Sequence, residues 1–129
     1  MRLILIAASL LAIAAPAFAD DASDLATAKA SIAAAKLSAA SDLDMWCGAA
    51  FILMSSKLTA GGDTANAKLA TDKSDALFGK ASPLLTADGV PSDKMGAIST
   101  AYTAVAYQQL IGTEPAKYTQ EQCDAAAAP

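Results

Sequence analysis

Apolar residues along this sequence recur mostly at spacings of three and four, which is the period of an α-helix. Strand-like alternation of apolar and polar residues does not persist beyond a few positions. The densest apolar stretch covers residues 42–58, and as a helix it would be apolar on nearly every side, which is typical of a helix buried by several neighbours. We therefore predict an all-α fold, a small bundle of four to five helices around this central one. Its main face would present Leu43, Cys47, Ala50, Phe51, Met54 and Leu58.

Glycine, proline and capping residues predict where the helices begin and end. Ser41 is the expected N-cap of the central helix, and the glycines at 61 and 62 are its expected stop. Gly79 predicts the end of the next helix, with a separate short helical turn starting at Pro83. The expected helical ranges are 22–40, 42–58, 64–78, 83–87 and 93–111, followed by a short terminal helix with a capping box from Thr119 to Gln122.

The first residues predict a secretory signal peptide. Arg2 provides a positive start, an apolar run follows, and Ala17-Phe18-Ala19 matches the small-residue pattern that precedes cleavage. The apolar run is shorter than the roughly 20 residues that a membrane-spanning helix needs. We therefore predict a signal peptide over 1–19 with cleavage before Asp20. The rest, 20–129, is expected to be a single helical domain that is exported to a bacterial periplasm and has no membrane span.

Composition excludes several classes of chemistry. The formal net charge is −4, the only arginine is Arg2, and histidine is absent. Because the mature chain would lack arginine and its lysines form no basic stripe, nucleic acid is not an expected partner. Without histidine there is no imidazole for zinc or haem and no ready general base near neutral pH. We expect no metal and no cofactor.

Cys47 and Cys123 are the only cysteines, and an even pair in an exported protein predicts a structural disulfide. The alternative is a redox or metal-binding thiol pair. It has no support from the spacing, because there is no C-x-x-C and no third ligand. Gly48 follows Cys47 inside the predicted central helix, where it predicts a close approach of a neighbour to the helix backbone.

No catalytic constellation emerges from the sequence. No lysine has the Ser-x-x-Lys spacing, and a Ser-His-Asp triad is impossible without histidine. Asp42 and Asp44 lie at the predicted start of the central helix, where the helix dipole explains them. We therefore expect no enzyme and look for a contact surface instead. Four apolar or aromatic residues are the candidates for this surface: Met45, Trp46, Ile52 and Tyr107. Those that are exposed would form a contact surface, and those that are buried would belong to the core.

Two segments carry a resemblance to known proteins: DMWCGAAF at 44–51 and YTQEQC at 118–123. With them, the mature region resembles small helical periplasmic proteins of alphaproteobacteria that contain one disulfide. Within that group it is similar to a periplasmic inhibitor of lysozyme-like peptidoglycan hydrolases. The resemblance implies an all-helical fold and a protein partner, and it transfers no inhibitory motif to particular residues.

The leading functional expectation is a non-catalytic periplasmic protein that inhibits or modulates a lysozyme-like peptidoglycan hydrolase by protein–protein contact. The negative net charge suits a basic partner, because opposite charges speed association. Two alternatives stay open, a small acid-stress chaperone and a carrier of a small hydrophobic ligand. The sequence does not determine the oligomeric state.

Overall fold

The computed structural model describes residues 22–129, and within them the chain forms five α-helices and no strand. The predicted all-α bundle of four to five helices is confirmed, and so is its disulfide. The predicted signal peptide over 1–19 lies outside the described residues. The helices are α1 (Ala22–Ala35), α2 (Ala39–Ala60), α3 (Thr64–Ala87), α4 (Ser92–Leu110) and α5 (Gln120–Ala127).

The helix α2 is the centre of the fold, as its all-round apolar surface predicts. It packs against α3, α4 and α5, with α3 as its most extensive neighbour. Residues 44–51 in its middle are all buried, including Met45, Trp46 and Phe51. Burial of side chains this large is the main source of stability in a chain of this size. The other helices are therefore arranged by the need to cover α2.

The start of α2 differs from the prediction, which placed Ser41 at the N-cap. The helix begins three residues earlier, with Ser38 as N-cap, and the Ser38 side chain accepts a hydrogen bond from the Ser41 N–H. Ser41 itself is fully buried and donates its hydroxyl to Asp88 at the end of α3. A tertiary contact thus uses the side chain that the sequence pattern assigns to capping.

Lys36 separates α1 from α2 by adopting a left-handed backbone, with φ of +50°. This conformation ends α1, which is therefore shorter than the predicted 22–40. In a residue with a side chain it costs about 1–2 kcal/mol relative to the right-handed region. The conformation is unusual at a position where glycine is the ordinary choice.

The helix α3 is continuous, so the predicted break at Gly79 and restart at Pro83 are wrong. Pro83 has no N–H for the carbonyl of Gly79 four residues earlier. Gly79 is exposed and lacks a side chain, so solvent can reach that carbonyl. Meanwhile Leu77, Ala81 and Leu85 are buried on one face at spacings of four. Their packing carries the helix through the proline, because tertiary burial overrides a local propensity.

The disulfide between Cys47 and Cys123 joins α2 to α5 across 76 residues of sequence. Closing a loop of this length removes unfolded-state entropy equivalent to about 4 kcal/mol. The predicted capping box at the start of α5 is confirmed, since Thr119 and Gln122 each bond the other's backbone N–H. The box positions Cys123, which is 3% exposed, against the core.

Gly48 allows α2 and α3 to approach closely, as predicted. A side-chain Cβ at Gly48 would lie 3.0 Å from an edge carbon of the Phe78 ring. The Ser74 hydroxyl also donates to the Gly48 carbonyl at 2.9 Å. The backbone of α2 is thus in direct contact with the side chains of α3.

We expect Gly48→Ala to lower the free energy of unfolding by about 1–3 kcal/mol, because the added methyl group overpacks against Phe78. Gly96→Ala is the matched control, since Gly96 lies in α4 with nothing within 4 Å of the new methyl group. It should raise the free energy of unfolding by about 0.5–1 kcal/mol through helix propensity. Urea unfolding followed by circular dichroism measures both. Equal effects of the two substitutions would contradict the close approach.

Candidate binding groove

An open groove of about 640 Å³ lies between α1, α2 and α4, closed at one end by the segment that leads into α5. Its volume is in the range of small-molecule binding sites. Its wall combines aliphatic side chains, three aromatic residues, three lysines and one carboxylate. The residues that line it are Lys29, Ile32, Ala33, Lys36, Leu37, Ala39, Asp42, Trp46, Tyr102, Val105, Gln109, Lys117 and Tyr118.

Three helices each contribute one stripe of side chains to the groove. On α2 the stripe is Ala39, Asp42 and Trp46. On α4 it is Tyr102, Val105 and Gln109, with the same spacing of three and then four residues. Spacings of three, four and seven residues place side chains on one face of a helix. On α1 the stripe consists of Lys29, Ile32, Ala33 and Lys36, the last of them just beyond the end of the helix. One face of each of the three helices therefore forms a wall of the groove.

Gln109 organises the inner wall of the groove. Its side-chain oxygen accepts hydrogen bonds from the Trp46 indole N–H at 2.7 Å and from the Lys117 backbone N–H at 3.1 Å. The Trp46 ring also makes an edge-to-face contact with Tyr118, with centroids 5.7 Å apart. These contacts fix the indole ring, which is 2% exposed.

Asp42 is the polar centre of the groove. Its carboxylate accepts hydrogen bonds from the hydroxyls of Tyr102, at 2.6 Å, and Tyr118. It also forms an ion pair with the Lys117 ammonium, at 2.6 Å. Only 15% of the Asp42 side chain is exposed. One carboxylate therefore joins α2 to α4 and to the segment before α5.

Electrostatics keep Asp42 ionised and the two tyrosines protonated. Burial alone would raise the pKa of the Asp42 carboxyl, but the hydrogen bonds from Lys117, Tyr102 and Tyr118 outweigh it and lower the pKa below its ordinary value. Burial and the Asp42 carboxylate raise the pKa of Tyr102 and of Tyr118. Donors and acceptor thus stay in the protonation states that these hydrogen bonds require.

The lysines at the groove differ in their partners. Lys117 is paired with Asp42, and Lys29 with Glu114 in the loop after α4. The Lys36 backbone N–H donates to the Ala33 carbonyl, but its ammonium group makes no hydrogen bond and no ion pair with any residue in the described part of the chain. Among the three lysines of the groove wall, Lys36 is the one whose charge the described residues leave without an ion pair.

The four residues predicted as a contact surface do not come together. Met45 and Trp46 are each 2% exposed, so both belong to the core and offer no open contact face. The reason is that α3, α4 and α5 all pack against α2. Ile52 is half-buried on the second half of α2, and Tyr107 is half-buried on α4. A partner-binding role for these last two stays a prediction.

The groove itself was not predicted from the sequence. Of its residues only Trp46 is among the predicted contact residues, and the helix dipole accounts for Asp42 in the sequence. The available signal was the row of Lys29, Ile32 and Lys36 on one face of α1, which mixes charge with apolar surface. That row identifies a face but not the helices opposite it.

The described residues, 22–129, contain neither a metal-binding cluster nor a membrane-spanning helix. Among these residues no group of three or more histidine, cysteine, aspartate and glutamate side chains is arranged to hold a metal ion. No helix among them is both long and apolar enough to cross a bilayer.

No protein-family model matches the sequence, and neither a curated protein nor a solved structure shows significant similarity to it. The resemblance to hydrolase inhibitors therefore stays a prediction.

We expect Asp42→Asn to lower the free energy of unfolding at pH 7 by about 2–3 kcal/mol, because it removes a charge that three donors hold. Asp93→Asn is the control, since Asp93 is 73% exposed and its only ion pair is at 3.9 Å. It should change stability by less than about 0.5 kcal/mol. Urea unfolding measures both, and similar effects would contradict a stabilising role for Asp42.

The same pair of proteins tests the pH dependence. Because the folded pKa of Asp42 is lowered, its contribution is present above the unfolded pKa and is lost as pH falls through the folded pKa. The stability difference between wild type and Asp42→Asn should therefore shrink from about pH 4 downward. Comparing the two proteins isolates Asp42 from Asp88 and Asp124, whose pKa values are also lowered by hydrogen bonds. A difference that is constant from neutral to acid pH would contradict the assignment.

Proposed function

We propose that this chain is a non-catalytic binding protein whose binding site for a small, largely hydrophobic ligand is the groove between α1, α2 and α4. The observation that carries the proposal is the groove itself, a concave space of about 640 Å³ with an aliphatic and aromatic wall. Sites of this kind bind ligands by burying apolar surface, and a few fixed polar groups set the orientation. Ile32, Leu37 and Val105 provide the apolar part of the wall.

The polar groups of the groove suit binding better than catalysis. A general base needs a free lone pair and a pKa near the working pH. The Asp42 carboxylate has three donors directed at it and a lowered pKa, so it is a poor proton acceptor. The tyrosine hydroxyls are donors to that carboxylate, and their raised pKa values disfavour ionisation. The network therefore acts as a rigid support for the groove wall.

Two adjacent alanines on α1 provide a matched test. Ala33 and Ala34 are both exposed, but only Ala33 lines the groove. We expect Ala33→Phe to weaken binding of an uncharged probe, decan-1-ol, by about tenfold or more, because the ring occupies the ligand space. Ala34→Phe should change the dissociation constant by less than about twofold. Trp46, the only tryptophan, lines the groove and reports binding through its fluorescence.

Circular dichroism and thermal unfolding should show that both variants stay folded. An absence of binding to wild type, or an equal loss in both variants, would remove the groove as the ligand site. Native mass spectrometry of protein purified from its host gives an independent check, since a retained ligand appears as added mass. Ala33→Phe should lose that mass.

We infer a second candidate function, restraint of a lysozyme-like peptidoglycan hydrolase, from a different surface. Leu110 and Ile111 at the end of α4 are 46% and 53% exposed, and Tyr107 lies one turn earlier. Clustered exposed apolar residues are typical of protein contact sites. The formal net charge of −4 suits a basic hydrolase. This patch supports the hypothesis that the resemblance suggests, and Tyr107 would be its aromatic member.

We expect the wild-type protein to slow the clearing of a peptidoglycan suspension by a basic lysozyme-like hydrolase. Ile111→Asp should weaken the inhibition by about tenfold, because a charge would be buried in the contact. Leu69→Asp is the control, since Leu69 is 59% exposed on α3, away from the patch. Turbidity and a pull-down measure the two effects. Unchanged clearing with wild-type protein would remove this candidate.

A further inference from the structure

Positive charge is concentrated at the groove of a chain that is negative overall. The formal net charge is −4, yet the groove wall contains Lys29, Lys36 and Lys117 against a single carboxylate, that of Asp42. The groove has therefore the opposite sign to the protein as a whole. A concave site with one sign of charge and low-dielectric walls attracts ligands of the other sign.

Internal ion pairs leave only one of these lysines uncompensated. Lys117 is 2.6 Å from Asp42, and Lys29 is paired with Glu114. The Lys36 ammonium group has no hydrogen bond or ion pair with the described residues. A ligand that approaches the wall therefore meets one available ammonium group.

Lys36 also occupies a strained backbone position. Its φ of +50° lies in the left-handed region, where glycine is favoured. The three other residues with positive φ in the described chain are all glycines, at 62, 89 and 112. Strained side-chain-bearing residues concentrate at functional sites, where the surrounding structure over-determines them. Position 36 thus has a long charged side chain where the backbone conformation favours glycine.

The rest of the groove wall, around the Lys36 ammonium group, is mostly apolar. Ile32, Leu37 and Val105 are aliphatic, and the Trp46 ring lies behind them with its N–H already bonded to Gln109. This surface offers apolar contact and few further donors. The combination of an apolar wall with one free cation matches a ligand that has an apolar body and one anionic group.

We propose that the groove binds an amphiphilic anion, with its apolar body along the wall formed by Ile32, Leu37 and Val105 and its carboxylate or phosphate group beside Lys36. This inference rests on the proposed function, because it names the ligand class of the same groove. Carboxylate and phosphate share the chemistry that an ammonium group recognises, and the probes below distinguish them.

The experiment compares decanoate, decyl phosphate and decan-1-ol, which share one apolar body and differ in the head group. Trp46 fluorescence gives the dissociation constant of each for the folded full-length protein and its variants. The informative quantity is the affinity of each anion relative to decan-1-ol, since the ratio cancels the shared apolar contacts. In wild type the ratio should fall as salt is added, because an exposed ion pair is screened.

Three substitutions assign the effect to Lys36. Lys36→Gln should lower the anion-to-alcohol ratio by about fivefold, whereas Lys36→Arg should keep it near the wild-type value. Lys57→Gln is the matched control, because Lys57 is exposed on α2, lacks a described partner and lies outside the groove. It should leave the ratio unchanged. The head group whose ratio falls more in Lys36→Gln is the preferred one, and either result supports the proposal.

Lys36→Gly separates a binding role from a structural one. It removes the charge and also relieves the left-handed strain, so the midpoint of thermal unfolding should rise by a few degrees while anion preference is lost. A ratio that does not change in Lys36→Gln would overturn the proposed ligand class while decan-1-ol binding still supports the groove. Binding of none of the three probes would instead contradict the proposed function itself.

Discussion

The enclosure of α2 is the constraint on which the rest of the structure depends. A helix that is apolar on every side cannot be covered by one neighbour, so α3, α4 and α5 surround it. Gly48 lets α3 approach closely, and Cys47 fixes α5 covalently. With these sides occupied, α1 packs mainly on α4. The groove is the space left between α1 and the enclosed helix, so it follows from how the core is covered.

Asp42 connects this core to the groove. It lies one turn before Trp46 on α2, and its carboxylate holds Tyr102 of α4 and two residues of the segment that leads into α5. That same segment ends at the helix containing Cys123. The covalent link and the carboxylate therefore restrain one stretch of chain from both ends. The wall at this end of the groove is rigid because it is also part of what closes the fold.

The features that the sequence predicts correctly are those with a local cause. Periodicity identifies the central helix, and the Thr119–Gln122 box identifies the start of α5. The boundaries that the sequence predicts wrongly have tertiary causes. The Ser41 hydroxyl bonds to Asp88 instead of capping α2. The α3 helix continues past Pro83 because residues on both sides of the proline are buried in the core. The groove could not be predicted, because its lining comes from three helices and its local charge depends on which lysines find partners. The spacing of residues along the sequence does not show which lysine pairs with which carboxylate.

The internal hydrogen bonds of the groove wall favour a binding site over a catalytic one. Its carboxylate, its two tyrosine hydroxyls and its indole N–H are all committed to internal hydrogen bonds. A ligand of the proposed kind would therefore meet surfaces already in place, and little conformational entropy would be lost on binding. Catalytic groups would instead need protons or lone pairs available to the substrate. The exception is Lys36, whose ammonium group has no partner among the described residues and whose backbone is in a strained conformation, and this exception is the reason to propose an anionic ligand rather than a merely apolar one.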